Sequence, residues 1–535
     1  MKSFLSLVAL VTAIGCSVAN AQLAAADNGT LPTSNLMTRP QSFAPVLNIT
    51  QSGPFSHGYI FISPFQHPGA GAYIYDKFGN LIWDGFGVIG SANAHDFKVC
   101  QYLGSPHLCV SQMNQQNGYG MGQGLIIDSN YRVVASVQTG RDAMPADMHD
   151  FQLLDKPNGP TALLTSYRAI PYDLSAVNIT TGQGWLLEGM FQEVDVKTGD
   201  VLFEWYSSNH VDPANTQVQI NNTVEFSGDG FTPSTAFDYF HINSVDKSST
   251  TGNYLVSARH TSTIYYISGT DQRILWQLSY QGQSDITCSG FNFSFQHDAR
   301  IISENDTMTE ISLFDNGNDC LVNTSPQSSG RFIAIDHTTG IATETRRTLS
   351  PDNISSCSQG NAQLLPDGHV FHGWGDKAWI SEVDEHDNMV FAATFTHGVE
   401  VTAMNYRAFS FEWQSTPSNT RPSVYSYALN TNAANDVYVS WNGATTVSSW
   451  RYYGCQQVGD DFDVIGTTGA RGFETVWSTS KYYQWVMVEA VASDGTSLAN
   501  SSFQPAFVPS QTLAQHCNQV SCPAVTTYAA MGTRK

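Results

Sequence analysis

From Gly71 onward the chain repeats one pattern: an alternating apolar strand, a turn carrying Asp, Asn or Gly, and a second strand that often closes on Trp or Phe. The copies are GAYIYDKFGNLIWDG from Gly71, GLIIDSNYRVVASV from Gly124, FQEVDVKTGDVLFEW from Phe191, TIYYISGTDQRILWQL from Thr263, RFIAIDHTTGIATET from Arg331 and AWISEVDEHDNMVFAATF from Ala378. Period-2 alternation around such turns predicts β-hairpins. A further strand pair precedes most copies, opening at His95, His149, His241, His297 and Asn361. Four strands per repeat, six times over, predict an all-β chain built as a six-bladed β-propeller across residues 22–420. The N-terminal HGYIFISPFQ and the closing NYRAFSFEW are expected to share one blade and fasten the ring. A long segment from Ser207 to about Thr235, rich in Asn, Gly, Ser and Pro, reads either as a lid over the channel or as a disordered insertion. After about Arg421 the alternation changes, with VYVSWNGATTVSSWRYYG and QWVMVEAVASDGTS, and predicts a small fibronectin-like β-sandwich and a disulfide-stapled tail across 421–535.

Inner strands of a propeller line its channel, so a residue type repeated at the start of successive inner strands forms a ring. Here the ring is mostly imidazole: His95, His149, His241 and His297, then Asn361, with Arg259, His260 and Arg300 on the same or adjoining strands. Strand alternation places Asn243 on the face of His241 and keeps Asp298 off the face of His297. The competing reading makes such residues hydrogen-bonded staples between strands. For His95 and His149 both readings stand. For His241 and His297 a site is preferred, because each lies in a longer distinctive string, Phe237 to Val245 and Phe295 to Arg300.

The ends and the composition bound the setting. Met1-Lys2, the apolar run Phe4 to Ala13 and Val18-Ala19-Asn20-Ala21 read as a secretory signal cleaved after Ala21. Without Cys16, eight cysteines remain, an even set suited to an oxidising compartment; Cys100 with Cys109 and Cys517 with Cys522 are expected as local staples. Asn28, Asn48, Asn178, Asn221, Asn292, Asn305, Asn323, Asn353 and Asn500 each open an Asn-x-Ser/Thr triplet. A secreted, extracellular glycoprotein follows, with no membrane span. A net charge of -22 argues against nucleic acid and anionic membrane as partners. Asp336 to Gly340 reads as a hairpin turn before a calcium loop, and no metal or cofactor is assigned.

The strings Phe237 to Val245, Ser257 to His260, Gln296 to Arg300, Phe314-Asp-Asn-Gly317, Gly360-Asn361 and Gly373-Trp-Gly375 with Ser381-Glu382 occur in one order over roughly Gly71 to Trp413. In this the chain resembles the arylsulfotransferase family, in its fungal secreted branch. The resemblance implies a six-bladed propeller that moves a sulfuryl group from an aryl sulfate to a phenol through a sulfohistidine, with no nucleotide donor. It assigns His241 and His297 to catalysis, with either His369 or His372 as a substitute on the last blade, and Arg259 and Arg300 to the anion. His260, His149, His95, Asn243 and Asn361 complete the expected binding set. The chain departs from the bacterial pattern at Asn318-Asp319-Cys320, where an Arg would follow Gly317, and at Asn361, which opens the blade of the bacterial nucleophile. The implied partner is a small aromatic substrate. A nucleophilic imidazole with the ordinary pKa near 6.5 would lose activity below about pH 6 unless burial lowers it. Two alternatives remain: a non-catalytic propeller binding glycans or other ligands, and a propeller enzyme of other chemistry acting on secondary metabolites.

Overall fold

The structure, a computed structural model, describes residues 33–90, 94–141, 143–180, 182–221, 226–395, 403–457 and 459–510. The predicted signal, Asn28, Cys517 and Cys522 lie outside them. Strand dominates, and the arrangement is propeller-like. Six sheets of four or five strands follow one another along the chain. The second runs Ala94–Tyr102, Ser105–Gln115, Gly120–Ile127, Val133–Val137, and the third Phe151–Leu154, Thr161–Tyr172, Gly184–Asp195, Val201–Tyr206. The fourth begins at Ile242–Lys247, the fifth at His297–Glu304 and the sixth at Asn361–Leu364. The first sheet is composite: Phe409–Phe411, from late in the chain, pairs with Tyr59–Ile62, ahead of Tyr73–Tyr75 and Leu81–Asp84. Asn48–Gln51 pairs with the outer strand of the sixth sheet, a second seam between early and late chain.

The repeated Asp of the hairpins is a turn device. Asp76 accepts the N–H groups of Phe78 and Asn80, Asp195 those of Lys197 and Thr198, Asp336 that of Thr338, and Asp384 those of His386 and Asn388. Each carboxylate satisfies donors that the reversal would strand, which is why the residue recurs. Apolar faces of neighbouring sheets then pack together. Trp83, Phe97 and Val110 join the first and second sheets, and Phe191, Tyr254 and Ile242 the third and fourth.

Where the first strands meet, the two-residue period breaks. Asp96 and Asp298 have φ of 52°, in the left-handed region, and the strand register shifts between His95 and Lys98 and between His297 and Arg300. Such bulges re-aim side chains. Asp298, expected to face away from the channel, therefore turns into it. There Asp96, Asp150 and Asp298 surround Arg407, which stands just before Phe409–Phe411. Arg407 Nη1 lies 3.0 Å from Asp96 and 3.1 Å from Asp150, and Nε 3.3 Å from Asp298. Lys98 and Arg300 complete this ion layer from the side.

Residues beyond 421 form two further sheets. One contains Ser423–Tyr427, Asp436–Ser440 and Glu474–Ser478; the other is built on Ser449–Cys455 and Trp485–Val491. Val437, Val439, Trp450, Tyr452, Val486 and Val488 are buried among them. Tyr131 ties this part to the first, donating from its hydroxyl to the Gly443 carbonyl at 2.8 Å and accepting from Trp413 Nε1 at 3.0 Å. The segment Ser207 to Thr235 is anchored where it is described: the Gln217 N–H donates to the His260 carbonyl, and Val211 is buried. Cys100 and Cys109 are bonded as expected, and so are Cys320 and Cys357 across 37 residues. Cys288 and Cys455 carry no disulfide among the described residues.

Removing Arg407 would leave three carboxylates buried with Lys98 and Arg300 alone. Arg407→Ala is therefore expected to lose about 3–5 kcal/mol of stability, read from urea unfolding midpoints. Acid resistance is a second consequence. Burial alone would raise Asp150, but Arg300, Arg407 and Lys98 hold it below the ordinary carboxylate range; Glu193, against burial and through Lys156, Lys247 and Tyr254, is lowered to about 2. Depressed carboxylates stabilise above their unfolded pKa values near 4, and this contribution is lost as pH falls through the folded values. Unfolding midpoints measured from pH 7 to 2 should show Glu193→Gln losing the part of the acid-side slope that wild type shows below about pH 4.

Candidate functional site

The histidines of the first strands meet around Tyr406. The Tyr406 ring lies 5.4 Å from that of His149, 6.2 Å from His95 and 6.4 Å from His297, each nearly edge-on. His149 stands perpendicular to His241 at 4.8 Å, and His241 stacks on His260 at 4.4 Å. Tyr167 packs beside His149 and His241. His241 has φ of 53°, a left-handed start that swings its ring toward its neighbours. All five imidazoles are buried, and His241, at 7% exposure, is the most accessible.

Hydrogen-bond partners give these rings different chemical states. His149 Nδ1 donates to Asp147 at 2.5 Å, and Asp147 also accepts the N–H groups of Gly120 and His149. His241 Nδ1 donates to Asp238 at 2.6 Å, and His260 Nδ1 to the Asp238 carbonyl at 2.6 Å. At His149 and His241 the carboxylate takes Nδ1, and Nε2 is the ring nitrogen that it leaves over. Burial would raise Asp147 and Asp238, but their histidine partners hold both below the ordinary value. Burial pushes His241 down to about 4, opposed in part by Asp238, so the ring is neutral at pH 7. His297 is pushed well below the ordinary value by burial and by Arg259. Its nitrogens are both engaged: Nδ1 donates to Asn316 Oδ1 at 2.7 Å, and Nε2 accepts the Gln359 N–H at 3.2 Å. Asn316 is oriented by donating to the Ser356 and Gln359 carbonyls, on the loop that Cys320–Cys357 staples.

The remaining predicted residues are dispersed. Arg259 is brought to the imidazoles, its guanidinium over the Phe295 ring and bonded to the Cys357 carbonyl. Arg300 belongs to the ion layer instead, where Asp150, Asp298, Gln152 and the Val245 carbonyl take its donors. Asn243 donates to the Gln296 carbonyl, and its own carbonyl receives Arg407. Asn361 brackets Gly373 and Ala408. His372 lies between the fifth and sixth sheets, bonded to Thr348 at 2.7 Å and stacked on Trp374, which keeps it apart from the other imidazoles.

Asp147, Asp238, Asn316, Tyr406 and Arg407 were not picked out in the sequence. The spacings Asp147-Met-His149 and Asp238-Tyr-Phe-His241 carried a signal for the two carboxylates. Tyr406 and Arg407 carried none, because their place depends on ring closure. As for a cation, Asp238, His241 and His260 each bring one ligand atom within 4.8 Å of the others, yet both Nδ1 atoms already serve as donors to Asp238. What the arrangement offers chemically is two carboxylate–imidazole pairs at right angles, suited to nucleophilic or acid–base work.

No curated protein matches the chain. Among solved structures it is similar to hydrazine synthase of Kuenenia stuttgartiensis, at 10% identity and a TM-score of 0.33 over 67% of this chain and 80% of that one. It is similar also to the β-propeller domain of Myceliophteria thermophila Cps50 (Swd1), at 9% and 0.33 over 81% and 99%, and to Kluyveromyces lactis Hsv2, at 8% and 0.24 over 73% and 98%. Likenesses of this size add nothing to the topology read from the strand pairing. The sequence model of the family described as Arylsulfotransferase (ASST) matches residues 102–396, more than half of the 535. That stretch holds His149, Asp238, His241, His260 and His297, and leaves His95, Tyr406 and Arg407 outside. The chain belongs to the arylsulfotransferase (ASST) family.

Proposed function

We propose that this protein moves a sulfuryl group from an aryl sulfate to a phenolic acceptor through a sulfohistidine on His241. The observation that carries the reading is the Asp238–His241 pair: the Nδ1–H is held by a carboxylate, and Nε2 is a bare lone pair on the most accessible imidazole of the group. Nε2 attacks sulfur and the S–O bond to the aryl oxygen breaks. Asp238 offsets the positive charge that develops on the ring. In this reading Arg259 and His260 are assigned to the sulfuryl oxygens, and His149, held by Asp147 and 4.8 Å from His241, is the second acid–base group. His297 is the weaker nucleophile, since its lone pair already accepts the Gln359 N–H, and His372 is bonded between sheets.

In the same reading the six sheets are six blades around one axis over residues 22–420, and the two sheets past 421 form a sandwich. The chain is secreted and glycosylated. Two disulfides, seven exposed acceptor asparagines, from Asn48 to Asn500, and the lack among the described residues of any helix long and apolar enough to cross a membrane are all compatible with that address. Side-by-side carboxylate–imidazole pairs would equally suit acid–base chemistry on another substrate, and the first measurement separates the two.

Incubation with 4-nitrophenyl sulfate and a phenol should release nitrophenol and, without acceptor, leave a sulfuryl adduct on the His241 peptide by mass spectrometry. His241→Ala should lower turnover by roughly 10⁴-fold or more, and Asp238→Asn by about 10²-fold or more. No adduct and no nitrophenol between pH 5 and 9 would reject sulfuryl transfer and leave acid–base or binding roles. The pH profile is a second check. With His241 lowered to about 4, kcat should hold from pH 7 to 5 and fall by half near pH 4, as the lone pair is protonated; half-loss near pH 6.5 would show that burial does not hold the essential imidazole neutral.

A further inference from the structure

The five imidazoles around Tyr406 and its neighbours differ in one respect that the transfer chemistry has to use. His149, His241 and His260 are each fixed in one tautomer by an oxygen on Nδ1, and His297 has both nitrogens engaged. His95 is different. Its side chain is fully buried, and neither Nδ1 nor Nε2 has a hydrogen-bond partner among the described residues. Aromatic edges hold the ring in place, Phe65 at 4.8 Å and Tyr406 at 6.2 Å. It feels the charges of both His149 and Asp147, which places it beside that carboxylate–imidazole pair and one imidazole removed from His241.

A staple between strands would spend at least one nitrogen on a neighbouring strand, as Asn361 and Asn243 do. His95 spends none, and a buried ring with both nitrogens left without a protein partner requires an explanation. Carrying a proton through an imidazole requires one nitrogen to take a proton while the other gives one up. A ring whose Nδ1–H is committed to a carboxylate can do this only by breaking that bond. His95 alone among the five exchanges tautomers without losing a hydrogen bond.

We propose that His95 is the proton relay of the second half-reaction. This rests on the sulfuryl-transfer reading above. The O–H bond of the acceptor phenol breaks and its proton passes to one nitrogen of His95. The phenol oxygen bonds to sulfur, the S–N bond to His241 breaks, and that electron pair returns to Nε2. The other His95 nitrogen then releases a proton to water or to the next departing phenolate, and the nearby Asp147 carboxylate stabilises the imidazolium formed in between. His95 lies outside the stretch that matches the family, so the assignment depends on this chain's own geometry.

The test separates the half-reactions in single-turnover measurements on the full secreted chain. Nitrophenol release from 4-nitrophenyl sulfate reports the first, because that leaving group departs as its anion; transfer from the loaded enzyme to an unsubstituted phenol reports the second. In His95→Ala, transfer to phenol should fall about 100-fold more than nitrophenol release does, and free imidazole should recover at least tenfold of it. His95→Gln fills most of the ring's volume and should show the same imbalance, with a urea midpoint near wild type, so a folding failure of the alanine variant leaves the proposal exposed. Equal losses in both half-reactions with no recovery by imidazole would make His95 a packing residue and overturn the relay while sulfuryl transfer stands. Failure of the wild-type chain to release nitrophenol would overturn both.

Discussion

Burial of the Arg407 guanidinium among Asp96, Asp150 and Asp298 is the interaction on which the rest of the molecule depends. Three carboxylates from three separate sheets meet at one place, and each would be costly there alone. The cation that neutralises them arrives next to Phe409–Phe411, the strand that pairs with the earliest sheet. Closing the ring and balancing its central charge are thus one event. A register slip in that last strand would move Arg407 off the carboxylates, so the ion layer also selects the pairing.

The imidazoles are set by the same geometry. At His95 and His297 the following Asp adopts a left-handed backbone, so neighbours that would face opposite ways both reach the centre. The Asp enters the ion layer and the His stays beside Tyr406. The pairing is economical: a charged floor satisfies the carboxylates, and above it His241 remains neutral, because burial disfavours its imidazolium more than Asp238 favours it. One residue type then supplies several functions through its partners, with Asp238, Asp147 and Asn316 each fixing a different imidazole, and Phe65 and Tyr406 holding His95 by shape alone.

Much of this was legible in the chain. Period-2 alternation with Asp-bearing turns announced the hairpins, since the turn carboxylate has to be within a few residues of the donors it satisfies. The His at the starts of successive first strands announced that these rings would be neighbours. Cys100 and Cys109 were close enough in sequence to pair on one hairpin. Arg300, His372 and Asp298 were misplaced for a common reason: a bulge or a blade interface changes which way a side chain points, and no local pattern records it.

What the sequence determined by itself is therefore the local layer: strands, turns, the order of repeats, and the family to which they belong. Those depend on contacts between residues a few positions apart. Only the tertiary structure decided how each imidazole is partnered, that Arg300 joins the ion layer while Arg259 lies over Phe295, and that Tyr406 and Arg407 stand among the imidazoles and carboxylates. Each of these depends on groups brought together across as many as 311 residues, as with Arg407 and Asp96, and such proximity exists only once the ring has closed.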